Sequence, residues 1–244
     1  MPQGNRLNGA AYGGGVFVAV GSAGAVLTSR DGVSWVPRFP NTRSDLFDVA
    51  WNGSDFVIGG AGFLTSFVLH GADGMNWTSD YMGTAPPMQR LAWTASGFLG
   101  VGDNGNVFTS SDGQLWSHAL APTSSDLVAL ASNGTTTVAV GSKGAILTTA
   151  DGASWASRTA GNRNSLGDVA SDGTQFVAVG FGTVLTSPDA VVWTTVAPVY
   201  DRWLLSVTSD GKQWVAVGEQ NAIFTSADGD RLDAADSGRD RRPA

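Results

Sequence analysis

Apolar residues in this chain come in short runs with a period of two, and no stretch carries the spacing of an amphipathic helix. The runs are themselves repeated. The stretch 127–158, LVALASNGTTTVAVGSKGAILTTADGASWASR, can be laid over five others, and each copy begins at a hydrophobic anchor. The anchors Leu7, Leu46, Met88, Leu127, Leu166 and Leu204 are spaced by 39, 42, 39, 39 and 38 residues. In every copy a glycine falls 14 residues after the anchor, at Gly21, Gly60, Gly102, Gly141, Gly180 and Gly218. Insertions occur only beyond that glycine, so the first half of the unit is under a rigid geometric constraint.

Each copy predicts four strands. The first is Leu-x-x-Val-Ala, as at 46–50 and 166–170, followed by turns such as Asn52-Gly53 and Asp172-Gly173 that permit positive φ in a tight hairpin. The second is Phe-Val-Ala-Val-Gly, as at 17–21 and 176–180. Both are apolar on both sides of the alternation and are expected to be buried on both faces. The third, at 145–149 in the regular copy, ends in a second turn, Asp151-Gly152. The fourth opens with Trp155 and fades into polar residues, as an outer edge strand should. The second copy has three extra residues between Gly60 and Asp73, around 63–70, expected to bulge or lengthen its second hairpin.

Four short strands in about 40 residues, repeated with tight turns, are the signature of β-propeller blades. The expected fold is an all-β, six-bladed β-propeller with four antiparallel strands per blade, occupying 1–229 as one domain. Blade 6 keeps Asp228-Gly229 but has Leu232 where the other copies have Trp, so its outer strand is expected to be missing or weak. The charged stretch 230–244 has no alternation and is expected to be disordered.

Composition narrows the function. A net charge of −7 argues against a nucleic-acid partner, which needs a basic surface. The chain has no cysteine, which excludes disulfides and thiolate chemistry. No apolar run is long enough to span a membrane, and the start MPQGNRLNGA has no apolar signal region. His70 and His118 are the only imidazoles and sit in different copies, so no metal site and no cofactor are expected.

The most repeated chemistry is Ser/Thr-x-Asp-Gly-x-x-Trp, at 29–35, 110–116 and 149–155, with degenerate copies at Asp73 and Asp189 and a truncated one at Asp228. A hydroxyl and a carboxylate flanking a glycine turn can bind the turn's own amides, and Asp31, Asp73, Asp112, Asp151, Asp189 and Asp228 are read as structural turn residues. With the preceding Val-Ala-Val-Gly and Leu-x-x-Val-Ala strands, this motif resembles the Asp-box (bacterial neuraminidase repeat) superfamily over 7–229. Within it, the chain looks most like propellers of the photosystem II stability and assembly factor type and their bacterial sialidase-like relatives. The box is one residue shorter than usual between Asp and Gly, as in the assembly-factor branch. The resemblance implies a secreted, periplasmic or cell-surface bacterial protein. Such propellers host glycosidases, lectins and assembly factors alike, so the fold does not decide the activity.

A sialidase of this superfamily would use three arginines, a Tyr–Glu nucleophile pair and an Asp acid/base. Here Glu219 is the only glutamate, Tyr12, Tyr81 and Tyr200 are the only tyrosines, and no Arg-Ile-Pro-type entry precedes the first copy. The expected function is therefore non-enzymatic: a monomeric scaffold binding a protein segment, a glycan or an anionic ligand, with a sialidase-like glycoside hydrolase as the alternative. Arg6, Arg43, Arg163 and Arg202 lie just before inner strands, and Arg90 lies within one, on the face expected to surround the channel mouth. Arginine forks recognise carboxylates and phosphates. Tyr200, Trp203, Asp103 and Glu219 join them in the candidate ligand site. The simpler reading pairs the arginines with Asp45, Asp126 and Asp201 as ordinary surface ions. A second aromatic group, Tyr12, Trp51 and Trp93, holds one repeat position in three copies, on the opposite face, and is either a contact surface or turn packing.

Overall fold

The alternating runs become strands, and the described residues form six antiparallel sheets of four strands each. This computed structural model describes residues 4–62, 65–83, 85–196, 202–229 and 233–234. Blade 1 is typical: Leu7–Gly13, Val16–Gly21, Ala25–Ser29 and Val36–Arg38 follow one another across the sheet in chain order. Its first hairpin closes through Gly14 and Gly15 at φ of 55° and 78°, a region that costs a residue with a Cβ about 1–2 kcal/mol. The fold is the expected six-bladed β-propeller.

The strands of blade 2 on either side of the three-residue insertion, Phe56–Gly62 and Thr65–Gly71, pair as far as Gly62 and Thr65, so the hairpin is lengthened. In blade 6 the outer strand is reduced to Asp233–Ala234, which pairs with Thr225 and Phe224. Leu232 and most of the charged tail lie outside the described residues.

The chain folds as two compact units, Met1–Leu127 with Asp151–Ser154, and Val128–Ala150 with Trp155–Ala244. In the first unit, Val16, Val18, Val20 and Val26 of blade 1 pack on Leu46, Val49 and Phe56 of blade 2. Val57 and Val68 of blade 2 pack in the same way on Met88, Leu91 and Phe98 of blade 3. In the second unit, Val138, Val140 and Ile146 of blade 4 meet Leu166, Val169 and Phe176 of blade 5, and Val177, Val179 and Val184 of blade 5 meet Leu204, Val207 and Trp214 of blade 6. One face of a blade is therefore aliphatic, and the other carries the anchor residue and an aromatic ring.

Burial departs from expectation in the first strands. The second strand of blade 5, Phe176–Gly180, is buried throughout, but its first strand, Leu166–Ser171, is buried only at Leu166 and Val169. That strand has a partner along one edge only. A register shift between Leu166 and Asp168, repeated between Leu46 and Asp48 and between Leu204 and Ser206, is a bulge that breaks the alternation of the first strand.

Candidate functional site

The glycine that ends the second strand leads into a one-turn 3-10 segment: Ser22–Gly24 and Asp103–Gly105 in the first unit, Ser142–Gly144 in the second. The central residues Ala23, Asn104 and Lys143 have φ of 55°, 55° and 57°, a left-handed conformation that leaves their amides pointing away from the sheet. The residue before the next anchor takes up each amide. Asp45 Oδ1 accepts from Ala23 N–H at 2.9 Å, Asp126 Oδ1 from Asn104 N–H at 3.0 Å, and Ser165 Oγ from Lys143 N–H at 3.1 Å. Asp45 and Asp126, expected as ion partners of the arginines, thus hold turn amides, and Asp201 lies outside the described residues.

In the first unit the turn Ser22–Gly24 brings Arg6 and Arg43 together. The Arg6 carbonyl accepts Ser22 N–H at 2.9 Å. A Cβ placed on Gly24 would fall 2.1 Å from the Thr42 carbonyl oxygen and 3.3 Å from the Arg43 Cα, so only glycine admits this approach. Beside the turn is a cleft of 480 Å³ lined by Ala23, Gly24, Phe39, Pro40, Asn41 and Arg43. Arg6 and Arg43 are exposed. Phe39 is 83% exposed. Arg90 is half-buried, and its guanidinium donates to the Asn8 carbonyl at 3.4 Å. The Asp103 carboxyl is pushed above its usual range by burial, with a further contribution from the charge of Asp126 and a small opposing one from a Gln89 hydrogen bond.

The second unit gathers a different set. Glu219 N–H donates to the Trp203 carbonyl at 2.9 Å, Gly182 N–H to the Arg202 carbonyl at 3.0 Å, and the rings of Phe181 and Trp203 are 5.6 Å apart. Arg202, Trp203 and Glu219 therefore adjoin, around an exposed Phe181 that sequence reasoning did not single out. Arg163 is exposed, with its backbone against Gly144. Tyr200 lies outside the described residues.

Tyr12, Trp51 and Trp93 each start an aromatic ladder within their own blade. Tyr12 is 4.5 Å from Phe17, Trp51 is 4.4 Å from Phe56 and Trp93 is 4.8 Å from Phe98, with Trp35, Trp77 and Trp116 beyond. Trp51 also covers the preceding blade's hairpin, where a Cβ on Gly13 would lie 2.2 Å from the indole.

The repeated aspartates accept hydrogen bonds from their own turns. Asp31 Oδ1 takes Val33 N–H at 2.8 Å, Ser34 N–H at 2.7 Å and the Ser29 hydroxyl at 2.9 Å. Asp73, Asp112, Asp151 and Asp189 each hold two amides in the same way. Asp228 takes the Ser226 hydroxyl at 3.0 Å. Amide donation holds the Asp31, Asp73, Asp112 and Asp189 carboxyls below the usual carboxylate range. The imidazoles go to local partners: His70 Nε2 meets Asp80 at 3.0 Å, and His118 contacts Asn106 while stacking on Phe108.

Two further aspartates were missed. Asp48 and Asp168 sit in first strands two residues after the anchor, and each reaches the next blade. The signal was present: a carboxylate inside the bulge that follows the anchor. Phe39 was missed because it lies in the segment between copies, where the repeat offers no comparison.

A scan against protein-family models finds no match, and a search of curated proteins finds none either. Solved structures share the fold. The structure of YCF48 bound to D1 peptide aligns with a TM-score of 0.76 at 16% identity, covering 96% of this chain and 82% of that one. YCF48 from Cyanidioschyzon merolae aligns with a TM-score of 0.72 at 16% identity, covering 96% and 86%. The RRP9 WD40 repeats align with a TM-score of 0.75 at 10% identity, covering 96% and 81%. At these identities the likeness establishes a propeller.

Proposed function

We propose that this chain is a non-enzymatic binding propeller that takes an acidic or carboxylate-ended peptide segment of a protein partner, and that the arginine-bearing loops before the first strands take it. The observation that carries this reading is the first-unit cleft, where exposed Arg43 and 83%-exposed Phe39 line one opening beside a tightly packed glycine turn. A guanidinium fork suits a carboxylate, and a neighbouring ring suits an apolar side chain on the same segment. A peptide ligand on the YCF48 propeller supports the choice of a protein segment over a glycan. The Ser-x-Asp-Gly turns, with their two-amide carboxylates, support a place among the Asp-box propellers.

The test is fluorescence anisotropy with labelled peptides that end in a free carboxylate or in an amide, with acidic or neutral flanks. Carboxylate-ended acidic peptides should bind best. Arg43→Ala should weaken them at least tenfold, about 1.4 kcal/mol, with thermal stability unchanged. Equal binding across the panel, or affinity indifferent to Arg43→Ala and to Arg163→Ala with Arg202→Ala, overturns the proposed site. Turnover of fluorogenic sialosides, lost on Asp103→Ala or Glu219→Ala, overturns the non-enzymatic reading.

A further inference from the structure

A second cavity, of 240 Å³, lies between the outer hairpin of blade 1 and the Met75 turn of blade 2, so both of its walls belong to the first unit. Val16, Val36 and Met75 give it an apolar side, and Arg30, Asp31 and Arg38 give it charge. The Met75 turn is fixed by its N–H, which donates to Asp73 Oδ1 at 2.8 Å. Arg38 Nε donates to Thr28 Oγ1 at 2.9 Å, which leaves the two terminal nitrogens of the guanidinium for another acceptor. Arg30 has no hydrogen bond or ion pair among the described residues. Asp31 accepts the Ser29 hydroxyl and the Val33 and Ser34 amides all on Oδ1, which leaves Oδ2 for a ligand. Amide donation also keeps this carboxylate ionised.

The repeat shows which of these residues are ordinary. The Arg38–Thr28 contact recurs in blade 4, where Arg158 Nε donates to Thr148 Oγ1 at 3.0 Å, and the aspartate recurs in every blade. Arg30 does not recur: immediately before the aspartate the other copies have Ala72, Ser111, Ala150, Pro188 and Ala227. In blade 1, two guanidiniums and a carboxylate thus line one cavity, and among the described residues they do not pair with each other. We propose that this cavity binds a free aliphatic α-amino acid, with Arg30 and Arg38 on its carboxylate, Asp31 on its ammonium, and Val16, Val36 and Met75 around its side chain. This ligand gives each charged group of the lining a counter-charge and covers the apolar wall as well. Inorganic phosphate would leave the valines and the methionine uncovered, a neutral sugar would leave three charges unmet, and a simple carboxylate would sit beside Asp31 with nothing to offset it. The volume, below the ~300 Å³ at which sites for drug-sized ligands begin, suits a single residue. The site shares no lining residue with the Arg43 cleft and does not depend on it.

The experiment is isothermal titration calorimetry of the full chain with L-leucine and with three analogues that each lack one part: leucinamide without the carboxylate, 4-methylpentanoate without the ammonium, and free glycine without the side chain. L-leucine should bind, and each analogue should bind at least tenfold more weakly. Arg30→Ala and Arg38→Ala should each weaken L-leucine at least tenfold. Arg158→Ala, which removes the same arginine–threonine contact in blade 4, should leave the affinity unchanged. Far-UV circular dichroism checks that each variant is folded; should Arg38→Ala not fold, Arg30→Ala decides, since the Arg30 side chain holds no other residue in place. Absence of L-leucine binding up to its solubility overturns the proposal, as does an analogue that matches L-leucine. Affinity indifferent to Arg30→Ala overturns it too, as does a loss on Arg158→Ala equal to that on Arg38→Ala.

Discussion

The carboxylate of Asp48 joins two blades through Leu91: Oδ2 accepts the Leu91 N–H at 3.0 Å while Oδ1 accepts Val49 N–H at 2.9 Å in its own strand. Asp168 repeats the arrangement in the second unit, accepting Val207 N–H at 3.0 Å and the Ser206 hydroxyl at 2.7 Å on one oxygen and Val169 N–H at 2.9 Å on the other. The bulge after each anchor interrupts the ladder near Leu91 and Val207, and the neighbouring blade's carboxylate supplies an acceptor. Losing a partner for half-buried amides costs about 1–3 kcal/mol. Asp48→Ala and Asp168→Ala should each destabilise by that amount, read as a lower urea midpoint with an unchanged slope, and should exceed the cost of Asp55→Ala in an exposed hairpin turn.

Packing of Trp51 on the preceding blade leaves no room at Gly13. Gly13→Ala should cost about 1–3 kcal/mol through overpacking, in keeping with a Cβ that would sit 2.2 Å from the indole. Gly4→Ala, where nothing lies within 4 Å, should change stability by less than about 0.5 kcal/mol. Paired thermal melts of the two variants check this.

Acid should loosen the turns. Asp31, Asp73, Asp112, Asp189 and Asp210 are held below the ordinary carboxylate range, chiefly by backbone amides. A depressed folded-state value means stability that is present above the unfolded value of about 3.9 and lost as pH falls below it toward the folded value. The urea midpoint should drop steeply as the pH is lowered through this range. Asp112→Asn should flatten the drop, since an amide oxygen does not titrate there.

Asp103 should behave in the opposite sense. Burial, then the Asp126 charge, raises its carboxyl, so the ionised form opposes folding above the folded-state value, and this penalty is relieved as pH falls through it. Asp103→Asn should leave the protein at least as stable at neutral pH and remove that relief on acidification. A pH series of urea midpoints for the variant against the unaltered chain decides it.

Much of this molecule could be read along the chain. Anchor spacing and glycine turns determine the blade, because strand period and hairpin chemistry act over a few residues. The weak outer strand of blade 6 follows equally from the missing Trp. The sites were less legible. Arg6 and Arg43 flank one turn, whereas Arg90 reaches back to Asn8, and their sequence positions do not separate the two cases. Asp45 looked like an ion partner because its engagement with Ala23 depends on a left-handed turn 22 residues earlier.

What the amino-acid sequence determined by itself was the unit: four strands, their turns, and which side chains alternate to which face. What only the tertiary structure decided was the fate of equivalent residues. Trp51 and Trp93 occupy the same place in the same local pattern, yet Trp51 is half-buried over Gly13 of the preceding blade and Trp93 is 42% exposed. Local forces are alike at the two positions; the difference comes from what the preceding blade's hairpin presents, and that is a property of packing between distant stretches of chain.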